Sequence, residues 1–223
     1  MKTASILGVH FHAVTMEQAV SFAMSRLRAR QKGYVVTPNP EIVDLCRRDS
    51  VYMGIVNHAA LVLPDGVGII YAAKILGEEL YGKVAGVEFA EHLVAAMAKE
   101  QMRLYLLGAK PGVAEQAGKN LCEKYPGLVI AGTHDGYFTD PQEAVDAVNS
   151  CGGADVVFVC LGAPSRKNLW RKIWTSCMRP CCADWAVRWI SSQAWPSVRR
   201  TSSSSWDWSG STVCSSSPAV SGA

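Results

Sequence analysis

From Ser5 to Pro164 short apolar runs alternate with segments of helical period, and this rhythm restricts the chain to an α/β architecture. Ser5 to Phe11 reads as a first strand. Thr15-Met16-Glu17-Gln18 is a capping box, in which the Thr hydroxyl and the Gln amide satisfy orphan N–H groups of a helix running to about Arg30. Val35-Val36 is a short buried strand, followed by helical segments over 41–48 and 50–57. Residues 60–63 form the next strand and 68–76 a helix; 88–100 is amphipathic, with Phe89, Leu93, Val94 and Met97 on one face. The pattern continues through strands at 103–107, 128–131 and 155–161 and helices at 113–124 and 141–149. The strands are apolar throughout, as strands covered on both faces are. The expected fold over residues 1–164 is a Rossmann-like parallel sheet with helices on both faces, followed by an irregular C-terminal tail at 165–223.

In such a sheet ligands collect beyond the carboxyl ends of the strands. Two polar interruptions fall there: Thr37-Pro38-Asn39-Pro40-Glu41 after Tyr34-Val35-Val36, and Pro64-Asp65-Gly66-Val67-Gly68 after Leu61-Val62-Leu63. Pro64 and Gly66 set a tight turn that presents Asp65, a candidate general base toward a sugar hydroxyl. The same carboxylate would also serve as a cap of the helix that follows. Thr37 and Asn39 are candidates for binding hydroxyls or phosphate oxygens, or else form a turn and an N-cap. Leu106-Leu107-Gly108-Ala109-Lys110-Pro111-Gly112-Val113 is a strand, a Gly-containing loop and a helix start. That geometry holds a diphosphate on backbone amides, though a plain βα turn shares it. The loop lacks GxGxxG, and no acidic residue stands about 20 residues on to claim a ribose. Thr133-His134-Asp135-Gly136-Tyr137-Phe138 offers Tyr137 for stacking on a base, with a packed aromatic corner as the alternative. His10 and His12 lie on one face of a strand without further ligands at metal spacing. Cys177, Cys181 and Cys182 have no second Cys/His pair downstream, so no metal site and no cofactor are expected.

No charged leader followed by a long apolar run opens the sequence, so no signal peptide is expected, and no stretch approaches the roughly 18 to 20 apolar residues that span a bilayer. The eight cysteines are scattered without framework spacing and read as reduced thiols of a cytoplasmic protein. Arg26, Arg28, Arg30, Arg47 and Arg48 read as solvated helix faces, with contact to an anionic membrane surface as the sharper option. Composition changes abruptly near Pro164. Residues 1–164 carry 14 Lys/Arg against 17 Asp/Glu, whereas 165–223 carry 8 against 2, with all seven tryptophans and 15 serines. That stretch follows neither a period of 2 nor one of 3.6 and is unlike a core-forming segment.

Taken in order, Thr37-Pro38-Asn39-Pro40-Glu41, Pro64-Asp65-Gly66-Val67-Gly68, Val84-Ala85-Gly86-Val87-Glu88, Tyr105-Leu106-Leu107-Gly108, Tyr125-Pro126-Gly127, Gly136-Tyr137-Phe138 and Leu161-Gly162-Ala163-Pro164 resemble the WecG/TagA/CpsF glycosyltransferases. The resemblance covers about residues 5–164. It implies an inverting, metal-independent transfer of N-acetylmannosamine from UDP to undecaprenyl-diphosphate-linked N-acetylglucosamine, a step of teichoic acid or related envelope polysaccharide synthesis. By position, Asp65 resembles the catalytic base, and Thr37 and Asn39 the polar residues of the pocket. Gly108, Gly136 and Tyr137 fall in segments resembling the nucleotide-sugar site. Lys83 stands where the family has Arg, so a point charge replaces a bidentate fork. The implied partners are a UDP-sugar donor and a polyprenyl-diphosphate-linked acceptor, at the inner face of the cell membrane. No nucleic-acid partner is expected, and a homo-oligomer is open.

The family continues Gly-x-Pro-Lys-Gln-Glu after its last buried strand, whereas here Pro164 is followed by Ser165-Arg166-Lys167. Residues from about 165 onward are therefore expected to be a frameshifted translation. Tryptophan has one codon, which makes the idea testable on paper. Read from the third base of each codon, Asp184-Trp185-Ala186 must encode Leu-Gly, Trp189-Ile190 must give Asp, and Trp206-Asp207-Trp208-Ser209 must give Gly-Leu followed by Glu or Val. These letters agree with family order. Two other readings of the chain stand beside transfer: an inactive remnant that at most binds a nucleotide sugar, and a nucleotide-dependent oxidoreductase. The gene sequence across codons 160–170 is expected to show the slip; an uninterrupted frame there, repeated in the mRNA, would contradict it.

Overall fold

The structure is a computed structural model that describes residues 1–161 and the strand 183–188; residues 162–182 and 189–223 lie outside the described residues. The chain divides into two compact units, 1–191 and 192–223, and the second lies wholly outside the described residues. The first begins with a hairpin, β1 (Thr3–Ile6) and β2 (Val9–His12), where a single strand was expected. Leu7 and Gly8, at φ 50° and 89°, form its two-residue turn. Positive φ at both central positions matches the right-handed twist of paired strands.

Helix α1 (Met16–Arg28) starts on the expected capping box: the Thr15 hydroxyl accepts the Gln18 N–H, and the Gln18 side chain accepts the Thr15 N–H. Then follow β3 (Gly33–Val36), α2 (Pro40–Arg48), α3 (Ser50–Asn57), β4 (Leu61–Val62), α4 (Val67–Leu76) and α5 (Gly86–Lys99). The second half comprises β5 (Arg103–Gly108), α6 (Val113–Lys124), β6 (Val129–His134), α7 (Pro141–Ser150), β7 (Ala154–Cys160) and β8 (Ala183–Arg188). Apart from the hairpin, the expected elements up to Pro164 are present, with ends shifted by a few residues.

Six strands form one sheet in the order β4-β3-β8-β7-β5-β6, and every pairing in it is parallel. The α/β architecture with a parallel sheet is thus the one read from the sequence. Strand β8 comes from the stretch expected to be irregular and pairs with β3 on one side and β7 on the other. The chain builds toward one edge through β3 and β4 and toward the other through β5 and β6, the arrangement that opens a crevice at the strands' carboxyl ends.

Strand β7 shows why the sheet holds. Val156, Val157, Phe158 and Val159 are all buried, so both faces of the strand are covered. The short edge strand β4 is protected on its outer side, where the Val62 N–H donates to His12 Nδ1 at 3.0 Å. The hairpin therefore occupies a backbone donor that would otherwise invite another strand. Replacing Phe158, which has no exposed surface, by Ala is expected to lower unfolding free energy by about 3–5 kcal/mol, read by urea denaturation.

Candidate functional site

Three loops at the carboxyl ends of β3 and β4 and the start of α5 interlock. The Asp65 N–H donates to the Pro38 carbonyl at 3.3 Å, and the Val84 N–H to the Pro64 carbonyl at 2.9 Å. The first bond joins the two polar interruptions side by side; the second brings in the segment that leads into α5. A Cβ on Gly68 would stand 2.8 Å from Pro40 Cγ, so the loops are also in close steric contact.

Asp65 sits at the centre of this arrangement. The backbone N–H groups of Gly86 and Gly66 face its carboxyl and favour the ionised form. Gly86 is the first residue of α5, a helix whose own N-cap residue, Ala85, supplies no side-chain acceptor. Asp65 therefore faces the start of the distant α5 as well as Gly66, the N-cap residue of the expected next helix, α4. Burial pushes its carboxyl above the usual aspartate value, and Glu88 pushes the same way; the two backbone amides and Lys83 oppose them. Burial is the largest of these influences. Lys83, half exposed, lies 3.8 Å from Glu88 and is shared between two carboxylates.

Among the described residues Thr37 is the one buried polar side chain, 1% exposed, and its Oγ1 has no hydrogen-bond partner there. A Cβ on Gly86 would lie 2.7 Å from that oxygen, so only glycine lets the helix start this close to the hydroxyl. A hydroxyl hidden from water without a partner is costly. Asn39 acts as the N-cap of α2, its Oδ1 accepting the Ile42 N–H at 3.0 Å. That is the capping alternative weighed for it, and it leaves the amide nitrogen for a ligand.

A second cluster forms at the ends of β5, β6 and β7. Gly108 has φ 127°, and a Cβ there would stand 2.2 Å from the Cys160 carbonyl oxygen. The Ala109 N–H donates to that carbonyl at 3.0 Å, and the Gly136 N–H to the Ala109 carbonyl at 2.8 Å. Three strand ends are thereby joined just before α6, whose N-cap Gly112 offers no side-chain acceptor to the first amides. Tyr137 is 71% exposed, so it is free to stack and is not a packed corner. Phe138 packs against the core instead. Asp135 accepts the Tyr137 N–H at 2.8 Å and shapes the turn.

Sequence reasoning assigned no role to Gly86 or Glu88, although the segment containing both was singled out. Neither residue type signals a partner across 20 positions of chain; their roles come from the meeting of α5 with the two loops. His12, weighed only as a metal ligand, instead accepts the N–H of the strand that leads into Asp65.

Residues 4–182 match the family described as Glycosyl transferase WecG/TagA/CpsF, a match that runs past Pro164. An N-acetylglucosaminyldiphosphoundecaprenol N-acetyl-beta-D-mannosaminyltransferase of Bacillus spizizenii is 29% identical over 168 residues, covering 75% of this chain and 65% of that protein. The protein of the same name from Bacillus subtilis is 26% identical, covering 75% and 66%. That from Staphylococcus aureus is 29% identical, covering 73% and 65%. The chain thus spans about two thirds of the length of these relatives.

Two expectations follow from the geometry. Thr37→Val removes a buried hydroxyl without a partner, so it is expected to leave stability unchanged or raise it by about 1 kcal/mol while weakening ligand binding, read by urea denaturation and calorimetry. Asp65→Asn removes a carboxylate whose folded-state pKa lies above its unfolded one. The native protein then binds the extra proton between the two values, so ionising Asp65 destabilises the fold as pH rises through that window. The variant is expected to gain stability at pH 7 and to lose that gain at pH below 3.8, the ordinary aspartate value, in parallel denaturation series.

Proposed function

Because the chain belongs to the WecG/TagA/CpsF family of glycosyl transferases, we propose that it moves N-acetylmannosamine from UDP-N-acetylmannosamine to undecaprenyl-diphosphate-linked N-acetylglucosamine. The observation that carries this reading is Asp65, a desolvated carboxylate with a raised pKa, in the same strand-end crevice as the unpartnered hydroxyl of Thr37. A base must be ionised at working pH and still hold a proton well, and a raised pKa serves both needs.

In this reading Asp65 takes the proton from the acceptor C4 hydroxyl as its oxygen bonds to the anomeric carbon. The bond from that carbon to the UDP oxygen breaks on the opposite face, and the electron pair leaves with UDP. Attack opposite the leaving group inverts the anomeric centre. The Thr37 hydroxyl and the Asn39 amide nitrogen hold sugar hydroxyls. Gly108, Gly136 and the start of α6 receive the diphosphate, where the positive end of the helix favours an anion. Tyr137 stacks on the uracil. Lys83 offsets negative charge beside Asp65, more weakly than an arginine fork would.

Among the described residues no helix is long and apolar enough to cross a membrane. In this reading the lipid acceptor, as the membrane component, brings the reaction to the inner membrane face. The relatives' names, which specify transfer of an N-acetylmannosaminyl group to N-acetylglucosaminyldiphosphoundecaprenol, support this sugar and this acceptor. The proposed frame slip after Pro164 falls on residues largely outside the described ones. If it removes part of the site, the chain binds UDP-N-acetylmannosamine without turning it over.

Incubation with UDP-N-acetylmannosamine and a lipid-diphosphate N-acetylglucosamine acceptor is expected to release UDP. Asp65→Ala should reduce that release by about 100-fold or more. Near-normal turnover in the variant would remove Asp65 from the role of base.

A further inference from the structure

Helix α4 leaves the site along a face that no described residue covers. Val67, Tyr71 and Ile75 recur every fourth residue on one side and are 61%, 60% and 85% exposed. Leu76, at the end of the helix, and Tyr81, in the segment after it, are exposed as well. The opposite side of α4 is also apolar, with Ile69 and Ala73 buried against the core. A helix apolar on both sides belongs in an interior, a membrane or an interface, since a solvated helix carries a polar face. Single exposed apolar residues need no explanation, but a row of them on one helix does.

Position narrows the occupant. The stripe begins at Val67, two residues after Asp65, so α4 leads directly away from the proposed reacting hydroxyl. Its ten residues extend about 15 Å. In the proposed acceptor, one sugar ring and a diphosphate separate the C4 hydroxyl from the first isoprene unit, a comparable span. The helix contains no carboxylate, and its one charged residue is Lys74, about two turns along. A cation with no acid beside it on the helix suits a passing diphosphate, and the apolar row suits the hydrocarbon attached to it.

We propose that the outer face of α4 is the docking strip for the isoprenoid chain of the acceptor, with Ile75 and Leu76, at the far end of the helix, contacting its first isoprene units and Lys74 facing the diphosphate. This rests on the acceptor reading given above. A second copy of the chain, or the bilayer surface as such, would use the same apolar row differently, and the experiment separates them.

The test uses the full chain, a double variant Ile75→Ser/Leu76→Ser, and two water-soluble probes: N-acetylglucosamine diphosphate esterified with farnesol, and the same compound esterified with methanol. Both substituted side chains are exposed, so the variant is expected to keep the wild-type thermal midpoint. In titration calorimetry the wild type should bind the farnesyl compound about tenfold or more tightly than the methyl compound. The double variant should lose that preference and bind the methyl compound as the wild type does. Equal affinity for the two probes in the wild type would overturn the proposal, and this arm needs no variant. So would a farnesyl preference that survives in the variant. In that event, loss of self-association in sedimentation would assign the stripe to a second copy, and loss of binding to phosphatidylglycerol vesicles would assign it to the bilayer. Binding needs no turnover, so a farnesyl preference without UDP release would contradict the transfer reading and leave the strip standing.

Discussion

The approach of the Asp65 carboxyl to the first amide of α5 is the juxtaposition on which the rest of the site depends. It sets the loop after β4 beside a helix that starts some 20 residues later, at Gly86. The helix gains a negative group beside an amide its own N-cap residue does not satisfy. The carboxylate gains two facing backbone amides and the positive end of a helix dipole, which favour its ionised form. Yet burial outweighs these gains and keeps its affinity for a proton high. Ionisation at working pH combined with raised basicity is what a general base requires, and one juxtaposition favours the first without abolishing the second.

Glycine at 86 is the steric counterpart of that juxtaposition. Only without a Cβ does α5 start this close to the Thr37 hydroxyl. The same approach hides the hydroxyl from solvent and leaves it without a partner. Two neighbouring groups are thus held in states that oppose folding, a desolvated carboxylate and an unsatisfied hydroxyl. A ligand with a hydroxyl of its own would relieve the second, so part of the free energy withheld from folding is returned on binding. Sites arranged for function are commonly less stable than they could be.

Local chemistry made much of this fold legible. The Thr15 capping box, the apolar run that became β7, and the polar interruptions after β3 and β4 each carry their signal within a few residues. Asp65 was legible as a carboxylate at a strand end. Its partner was not, because an amide drawn from a different helix leaves no trace in neighbouring residues. The β1–β2 hairpin was missed for a related reason: Leu7 is an unusual residue at positive φ, and Leu-Gly does not announce a two-residue turn as Asn-Gly would. His12 read as an isolated imidazole until the hairpin placed it against the Val62 amide. Strand β8 lies in a segment whose composition concealed any period, and its place between β3 and β7 is a property of the whole sheet.

The account turns on the protonation of one side chain, and a carbon-13 NMR titration of the Asp65 carboxyl, assigned by comparison with Asp65→Asn, reads it directly. The account predicts a midpoint above the ordinary aspartate value of 3.8 in the folded chain. A midpoint at or below that value would show that the Gly86 and Gly66 amides outweigh burial. Asp65 would then be a stabilising helix cap and not a poised base.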